Sequence, residues 1–251
     1  MKKQKTVGII PARLESSRLP RKALVDICGL PMIVHVYKRS LLSNELDEVY
    51  VATDSSEIHD VIVSHGGKAI MTNKEHQTGT DRIAEAAKEI ECEIVVNIQG
   101  DEALVNPDHI NAVTVELKKN SNLNIAILVN PYNKVNSPSD IKAVVNENME
   151  VMYLSRADIP SCARTPNPPM LKAYHIVPFR KSFLLQYAAW PKTKLEKIEY
   201  NEYLRILEKG YKIKAVKVES EAVSVDTKED LIFVRKEMEK DSLYKNKYSI
   251  K

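Results

Sequence analysis

The sequence is poor in the residues that carry most metal, redox and disulfide chemistry. Its three cysteines, Cys28, Cys92 and Cys162, are scattered and odd in number. That excludes a zinc spacing or a disulfide framework and makes a reducing cytoplasm the simplest setting. The six histidines (His35, His59, His65, His76, His109 and His175) contain no H-E-x-x-H and no paired-ligand spacing, so a metal held by histidine is not expected. Neither G-x-G-x-x-G nor G-x-x-x-x-G-K-[ST] occurs, which argues against a dinucleotide oxidoreductase and a P-loop NTPase. There is no long hydrophobic run: the basic start MKKQK leads into an apolar stretch that Pro11 and Arg13 interrupt, so neither a signal peptide nor membrane insertion is expected. A net charge of +3 is too small to argue for nucleic acid or an anionic membrane surface. Internal repeats and low-complexity tracts are also lacking, and the lysine-rich tail Glu239 to Lys251 is expected to fray.

What is present suits one soluble α/β domain with a small insertion: 251 residues, 43% hydrophobic and 28% charged. Val7 to Ile10, Glu48 to Thr53, Lys68 to Met71 and Ile94 to Ile98 read as strands. They alternate with helices over Pro31 to Leu42, Ser55 to Ser64 (closed by Gly66 and Gly67) and Thr78 to Ile90. Short connectors between them predict a parallel, doubly wound sheet. The second half changes character. Asn124 to Val129, Ile141 to Val145, Met152 to Leu154, Tyr174 to Phe179 and Ile213 to Val218 read as short strands, and Lys181 to Ala189 and Lys194 to Lys209 as helices. A small β subdomain inserted over roughly 130–190, within a single domain spanning 1–251, accounts for this pattern, since no linker separates the halves.

The stretch Thr6 to Leu24 organises the rest. A buried strand, ended by Pro11, feeds a loop carrying Arg13, Ser16, Ser17, Arg18, Arg21 and Lys22, with Glu15 its one acidic residue. Nucleotides bind outside the carboxyl ends of parallel strands, and this density of cations and hydroxyls suits a polyphosphate. A solvated basic loop is the plain alternative. Asp101 follows the strand Ile94 to Ile98 closely, and Asp226 follows the alternating stretch Ala222 to Val225. Carboxylates so placed can hold Mg²⁺ together with substrate phosphates, or they can simply cap the turns that follow.

Several motifs in order, IIPARLESSRLPRKAL, TGTDR (Thr78 to Arg82), NIQGDEALVNP (Asn97 to Pro107), YLSRADIP (Tyr153 to Pro160) and VDTKEDL (Val225 to Leu231), make the chain resemble the cytidylyltransferases that activate 3-deoxy-D-manno-octulosonate (Kdo) with CTP. The resemblance is collinear over roughly Val7 to Met238. It implies a Rossmann-like mixed sheet, a cytoplasmic homodimer built partly from the insertion, and CMP-sugar synthesis for surface polysaccharide. Carried over by position, Arg13 and Lys22 face the triphosphate of CTP, beside Pro11, Ala12, Ser17 and Arg18. Thr80, Arg82 and Gln99 lie near the cytidine, Asp101 and Asp226 hold Mg²⁺, and Arg156 lies toward the sugar acid. The reaction implied is in-line attack of the anomeric hydroxyl on the α-phosphorus with loss of pyrophosphate. Catalysis is then mostly positioning and charge neutralisation, with Arg13, Lys22 and Asp101 its principal residues.

The departures from that family cluster. Arg21 stands where the family's GKPL has glycine, and Ala103 where QGDEP has proline. A segment like HLGIYGYR is here Ala173 to Arg180 (AYHIVPFR), so Ala173 replaces histidine and His175 glycine. A segment like EMLEQLR is here Glu199 to Arg205, with Tyr203 in place of glutamine. These last two lie on the sugar side in the family, so Tyr174, His175, Glu199, Glu202 and Tyr203 are expected to line the acceptor pocket, ordinary packing being the other reading of Tyr174, His175 and Tyr203. The departures raise an acid differing from Kdo away from its carboxylate as the alternative substrate, such as an amino-substituted octulosonate, a nonulosonate or a non-sugar acid. A non-catalytic nucleotide-binding paralogue is the other class to exclude.

Overall fold

The first strand, β1 (Thr6–Ala12), runs two residues past the expected end, because Pro11 and Ala12 stay in register with Ala52 and Thr53 of the next parallel strand. A proline is tolerated there because its missing N–H removes one ladder bond near a strand end. The computed structural model describes residues 4–16, 18–219 and 223–249; Ser17 and Ala222, both named above, lie outside them. The chain divides into two compact units, Met1–Asn111 with Ala222–Lys251, and Ala112–Glu221. The second unit is wider than the insertion expected over 130–190.

In the first unit a tight hairpin of β2 (Asp26–Ile27) and β3 (Leu30–Pro31) precedes α1 (Met32–Ser40), β4 (Glu48–Thr53), α2 (Ser56–Ser64), β5 (Ala69–Met71), α3 (Gly79–Lys88) and β6 (Ile94–Ile98), and then α4 (Pro107–Lys119), whose residues from Ala112 onward belong to the second unit. Strands β6, β1, β4 and β5 lie side by side in that order, all parallel. Val7, Ile9, Ile10, Val51, Val95 and Val96 are fully buried, as strands covered on both faces require. The starts of α2 and α3 follow side-chain caps. Ser55 Oγ accepts from the N–H of Ile58, and Thr78 Oγ1 from that of Asp81 at 3.1 Å, each satisfying a donor the helix leaves open.

The second unit holds β7 (Ala126–Tyr132), β8 (Lys142–Val145), β9 (Val151–Ser155), β10 (Met170–Tyr174), β11 (Ile176–Arg180), α5 (Lys181–Ala188), α6 (Lys194–Glu199), α7 (Leu204–Glu208) and β12 (Lys214–Lys217). Its mixed sheet runs β12, β7, β10, β8, β9, with only the β12–β7 pair parallel. Two expectations are corrected here. The strand expected over Tyr174 to Phe179 is two strands broken at His175, and the helix expected over Lys194 to Lys209 is two helices, because Tyr200 adopts φ +49° and ends the first. The Arg205 guanidinium grips the Glu196 carboxylate through Nε at 2.8 Å and a terminal nitrogen at 2.6 Å, so this second contact ties the two short helices together.

The chain then returns to the first unit as α8 (Lys228–Lys240), which opens with a capping box between Thr227 and Asp230. Neither α4 nor α8 is among the helices read from the sequence. The tail does not fray where it is described. Tyr244–Tyr248 forms a helical turn whose two tyrosine rings flank the buried His35, and Arg39 pairs with Asp241 at 2.7 Å. Val223 to Val225 forms no strand. No helix among the described residues is long and apolar enough to cross a membrane.

Candidate active site

Parallel pairing of β1 with β6 aligns Ile9 with Asn97, so the segments that follow, Pro11–Arg13 and Gln99–Asp101, emerge side by side at the carboxyl edge of the sheet. Their approach needs glycine. A Cβ on Gly100 would stand 2.7 Å from the Pro11 carbonyl oxygen, and one on Gly79 3.2 Å from the Pro11 ring. The first of these is a contact with backbone that cannot swing away. The crevice so formed is a cavity of about 340 Å³. Its walls are Pro11, Ala12, Arg13, Arg18 and Lys22 on one side, Thr78, Gly79 and Arg82 at the start of α3, and Gln99, Gly100, Asp101 and Asp226.

At its floor two carboxylates from distant parts of the chain meet one ammonium. Lys22 Nζ donates to Asp101 Oδ2 at 2.7 Å and to Asp226 Oδ1 at 2.9 Å, and an Arg18 terminal nitrogen donates to the same Asp226 oxygen at 2.9 Å. The Val225 N–H, donating to the Asp101 carbonyl at 2.9 Å, pins the two carboxylate segments together. Burial works against the charge on Lys22, but attraction by Asp101 and then Asp226 outweighs it and holds the ammonium above its ordinary pKa. Two carboxylates converging on one cation, open to a cavity lined with further cations, are a donor set suited to Mg²⁺ and a polyphosphate.

Most of the nucleotide residues expected from the sequence are thus brought together, with three qualifications. Ser17 lies outside the described residues. Thr80 is buried at 1% exposure and is not part of the wall. Arg82 forms wall but is largely engaged, donating to Thr72 Oγ1 at 2.6 Å, the Asn73 carbonyl at 3.3 Å and Asp54 at 3.2 Å. Arg21 sits at φ +55°, a left-handed backbone that glycine adopts at less cost, and pairs with Glu57. Wall residues that the sequence did not single out include Glu15, Gln77 and His76, the last paired with Glu85. Only the adjacency of His76 to TGTDR could have signalled it.

The expected acceptor residues all belong to the second unit and are engaged within it. Glu199 accepts from Ser155 Oγ and from the Arg156 N–H, both at 2.9 Å. The Arg156 guanidinium donates to the carbonyls of Glu199, Pro138, Ser139 and Tyr200 at 2.9 to 3.2 Å. Glu202 receives the Tyr187 hydroxyl on its carbonyl at 3.0 Å. Tyr174 and Tyr203 are buried at 3% and 2% exposure. Tyr203 stacks on the half-buried His175 with ring centres 5.9 Å apart, so two departures from the family pattern are packing partners.

The sequence model of the cytidylyltransferase family matches residues 7–213. This chain belongs to the cytidylyltransferase family. Among its relatives in that family, a 3-deoxy-manno-octulosonate cytidylyltransferase of Syntrophus aciditrophicus is 40% identical over 239 residues, covering 92% of this chain and 96% of the relative. One from Escherichia coli is 37% identical over 225 residues, covering 89% and 92%. A solved structure of CMP:2-keto-3-deoxy-manno-octonic acid synthetase complexed with CTP superposes with a TM-score of 0.91 at 36% identity, over 94% of this chain and 99% of the other. A 4-diphosphocytidyl-2C-methyl-D-erythritol synthase from Anaerococcus prevotii shares the fold at 15% identity with a TM-score of 0.65. The α/β cytidylyltransferase architecture expected from the sequence is therefore this chain's own.

Proposed function

We propose that this protein transfers CMP from CTP to a 2-ulosonic sugar acid of the Kdo class, releasing pyrophosphate. The observation that carries the reading is the convergence of Lys22, Asp101 and Asp226 in a cavity at the carboxyl ends of β1 and β6. It is supported by the likeness, over nearly the whole chain, to a synthetase solved with CTP. Arg13, Arg18 and Lys22 orient the triphosphate and offset the charge that builds on the departing pyrophosphate, while the acid's anomeric hydroxyl attacks the α-phosphorus in line. Asp101 and Asp226 would hold Mg²⁺, which when bound supplies charge neutralisation at the phosphates. Gln99 and the start of α3 face the cytosine end.

The acceptor is read as Kdo or a close relative. Assembly as a homodimer through the second unit fits its exposed apolar side chains, Val135, Met152, Ile198 and Tyr200, the last 82% exposed. A CTP-using sugar activation places the protein in the cytoplasm. The test is pyrophosphate release from CTP with Kdo and with a panel of 2-keto acids altered at the distal carbons, UTP replacing CTP in parallel. Release with CTP and one acid is expected, and UTP should be disfavoured, each buried group left unpaired costing about 1–3 kcal/mol. No release with any acid would leave a nucleotide-binding paralogue, and equal use of UTP would overturn the assignment of the base pocket.

A further inference from the structure

In this structure the place between Asp101 and Asp226 is already taken by a cation of the protein's own. Lys22 Nζ bridges the two carboxylates at 2.7 and 2.9 Å, and Arg18 adds a second positive group at 2.9 Å from Asp226. Two carboxylates against one ammonium and one guanidinium leave the cluster with no net charge. Among the described residues no group of three or more Asp, Glu, His or Cys offers a divalent ion another home. A hydrated divalent cation gives up water reluctantly and needs the field of unpaired carboxylates to do so; here it meets a neutral cluster. The ammonium can leave, because it ends a flexible four-carbon stem and its side chain is 18% exposed toward the cavity. A triphosphate entering the same cavity brings several negative charges and offers the ammonium a new partner.

We propose that Lys22 is a resident counter-cation: it keeps divalent metal off Asp101 and Asp226 until a nucleoside triphosphate draws it away, so that metal and nucleotide bind as a coupled pair. This rests on the reading above that the carboxylate pair holds metal and the cavity holds CTP. Coupling between two ligands is reciprocal, so the factor by which nucleotide tightens metal binding is also the factor by which metal tightens nucleotide binding. The same arrangement leaves Asp101 and Asp226 neutralised in the free protein, where two bare carboxylates would repel.

The test is Mn²⁺ binding followed by electron paramagnetic resonance, with and without a non-hydrolysable α,β-methylene analogue of CTP, so no turnover is read. Wild type is expected to bind Mn²⁺ weakly alone and at least about tenfold more tightly with the analogue, within the usual range of coupling between sites. Lys22→Met, which keeps the stem and removes the charge, should bind Mn²⁺ at least about tenfold more tightly than wild type without nucleotide. Adding Asp101→Asn to that variant should abolish the gain. Lys22→Arg should behave as wild type. Should Lys22→Met fail to fold, the wild-type comparison with and without the analogue decides alone. Equal Mn²⁺ affinity in wild type with and without the analogue, or equal affinity of wild type and Lys22→Met without it, overturns the counter-cation role while leaving the metal assignment standing. Absence of Mn²⁺ binding even with the analogue overturns the metal assignment itself.

Discussion

Replacing Gly100 by alanine tests whether the close approach of β1 and the Gln99–Asp101 segment builds the site. The added Cβ would stand 2.7 Å from the Pro11 carbonyl oxygen, inside the 3.0 Å that real Cβ atoms respect, with Ile33 and Ile10 side-chain atoms at 3.4 and 3.5 Å closing other directions. Pro11 is held in register with Ala52 of β4, so the strand does not yield and the loop carrying Asp101 must shift. Overpacking of this kind costs about 1–3 kcal/mol. For a chain of this size each kcal/mol lowers Tm by about 2–4 °C, so a fall of roughly 2–12 °C is expected. The carboxylate that meets Lys22 at 2.7 Å is the next residue along, so displacement reaches the chemistry. A misplacement of about 1 Å can cost ~10²-fold, and kcat/KM for CTP should drop about 10- to 100-fold. Thermal unfolding and pyrophosphate release read the two effects on one preparation. Gly66→Ala is the control: at φ +75° with nothing within 4 Å it should lose about 1 kcal/mol through backbone strain and keep its turnover. A Gly100→Ala protein with Tm within about 1 °C and kcat/KM within about twofold of wild type would refute the reasoning.

Asp101→Asn and Asp226→Asn should each abolish pyrophosphate release while circular dichroism and Tm stay near wild type, since each removes a charge at a cavity wall rather than a core contact; wild-type rates in either would sink the assignment. Arg205→Met strands the Glu196 carboxylate, 6% exposed, without its guanidinium and should destabilise by about 3–5 kcal/mol in urea, with Glu196→Met in the same chain recovering part of the loss. Burial holds the His35 imidazole below its ordinary pKa, partly opposed by the Ile27 carbonyl on Nε2, and burial does the same to His109. The unfolded chain therefore binds protons that the folded one refuses. Stability should be intact above pH of about 6.5 and fall as pH drops below it, with His35→Gln flattening the decline of the urea midpoint.

The parallel strands and the helices α1, α2 and α3 between them were legible because each rests on local chemistry: continuous apolar runs at Val7 and Ile94, helical spacing after Ser55 and Thr78, a basic loop after the first strand. The break at Tyr200 was not legible, because a tyrosine at φ +49° carries no signal in its own identity and is held by the Arg205–Glu196 contact across the two helices. The packed tail was missed for a similar reason. Its lysines read as solvated chain, while Tyr244 and Tyr248 find His35, over two hundred residues earlier. At the site the sequence determined which residue types gather after which strands, and so the chemistry available. Only the tertiary structure decided that Asp101 and Asp226, far apart in the chain, share one ammonium, and that Arg156, Glu199 and Tyr203 are engaged within their own unit. Strand order and register set those distances, and both depend on long-range pairing that no local pattern encodes.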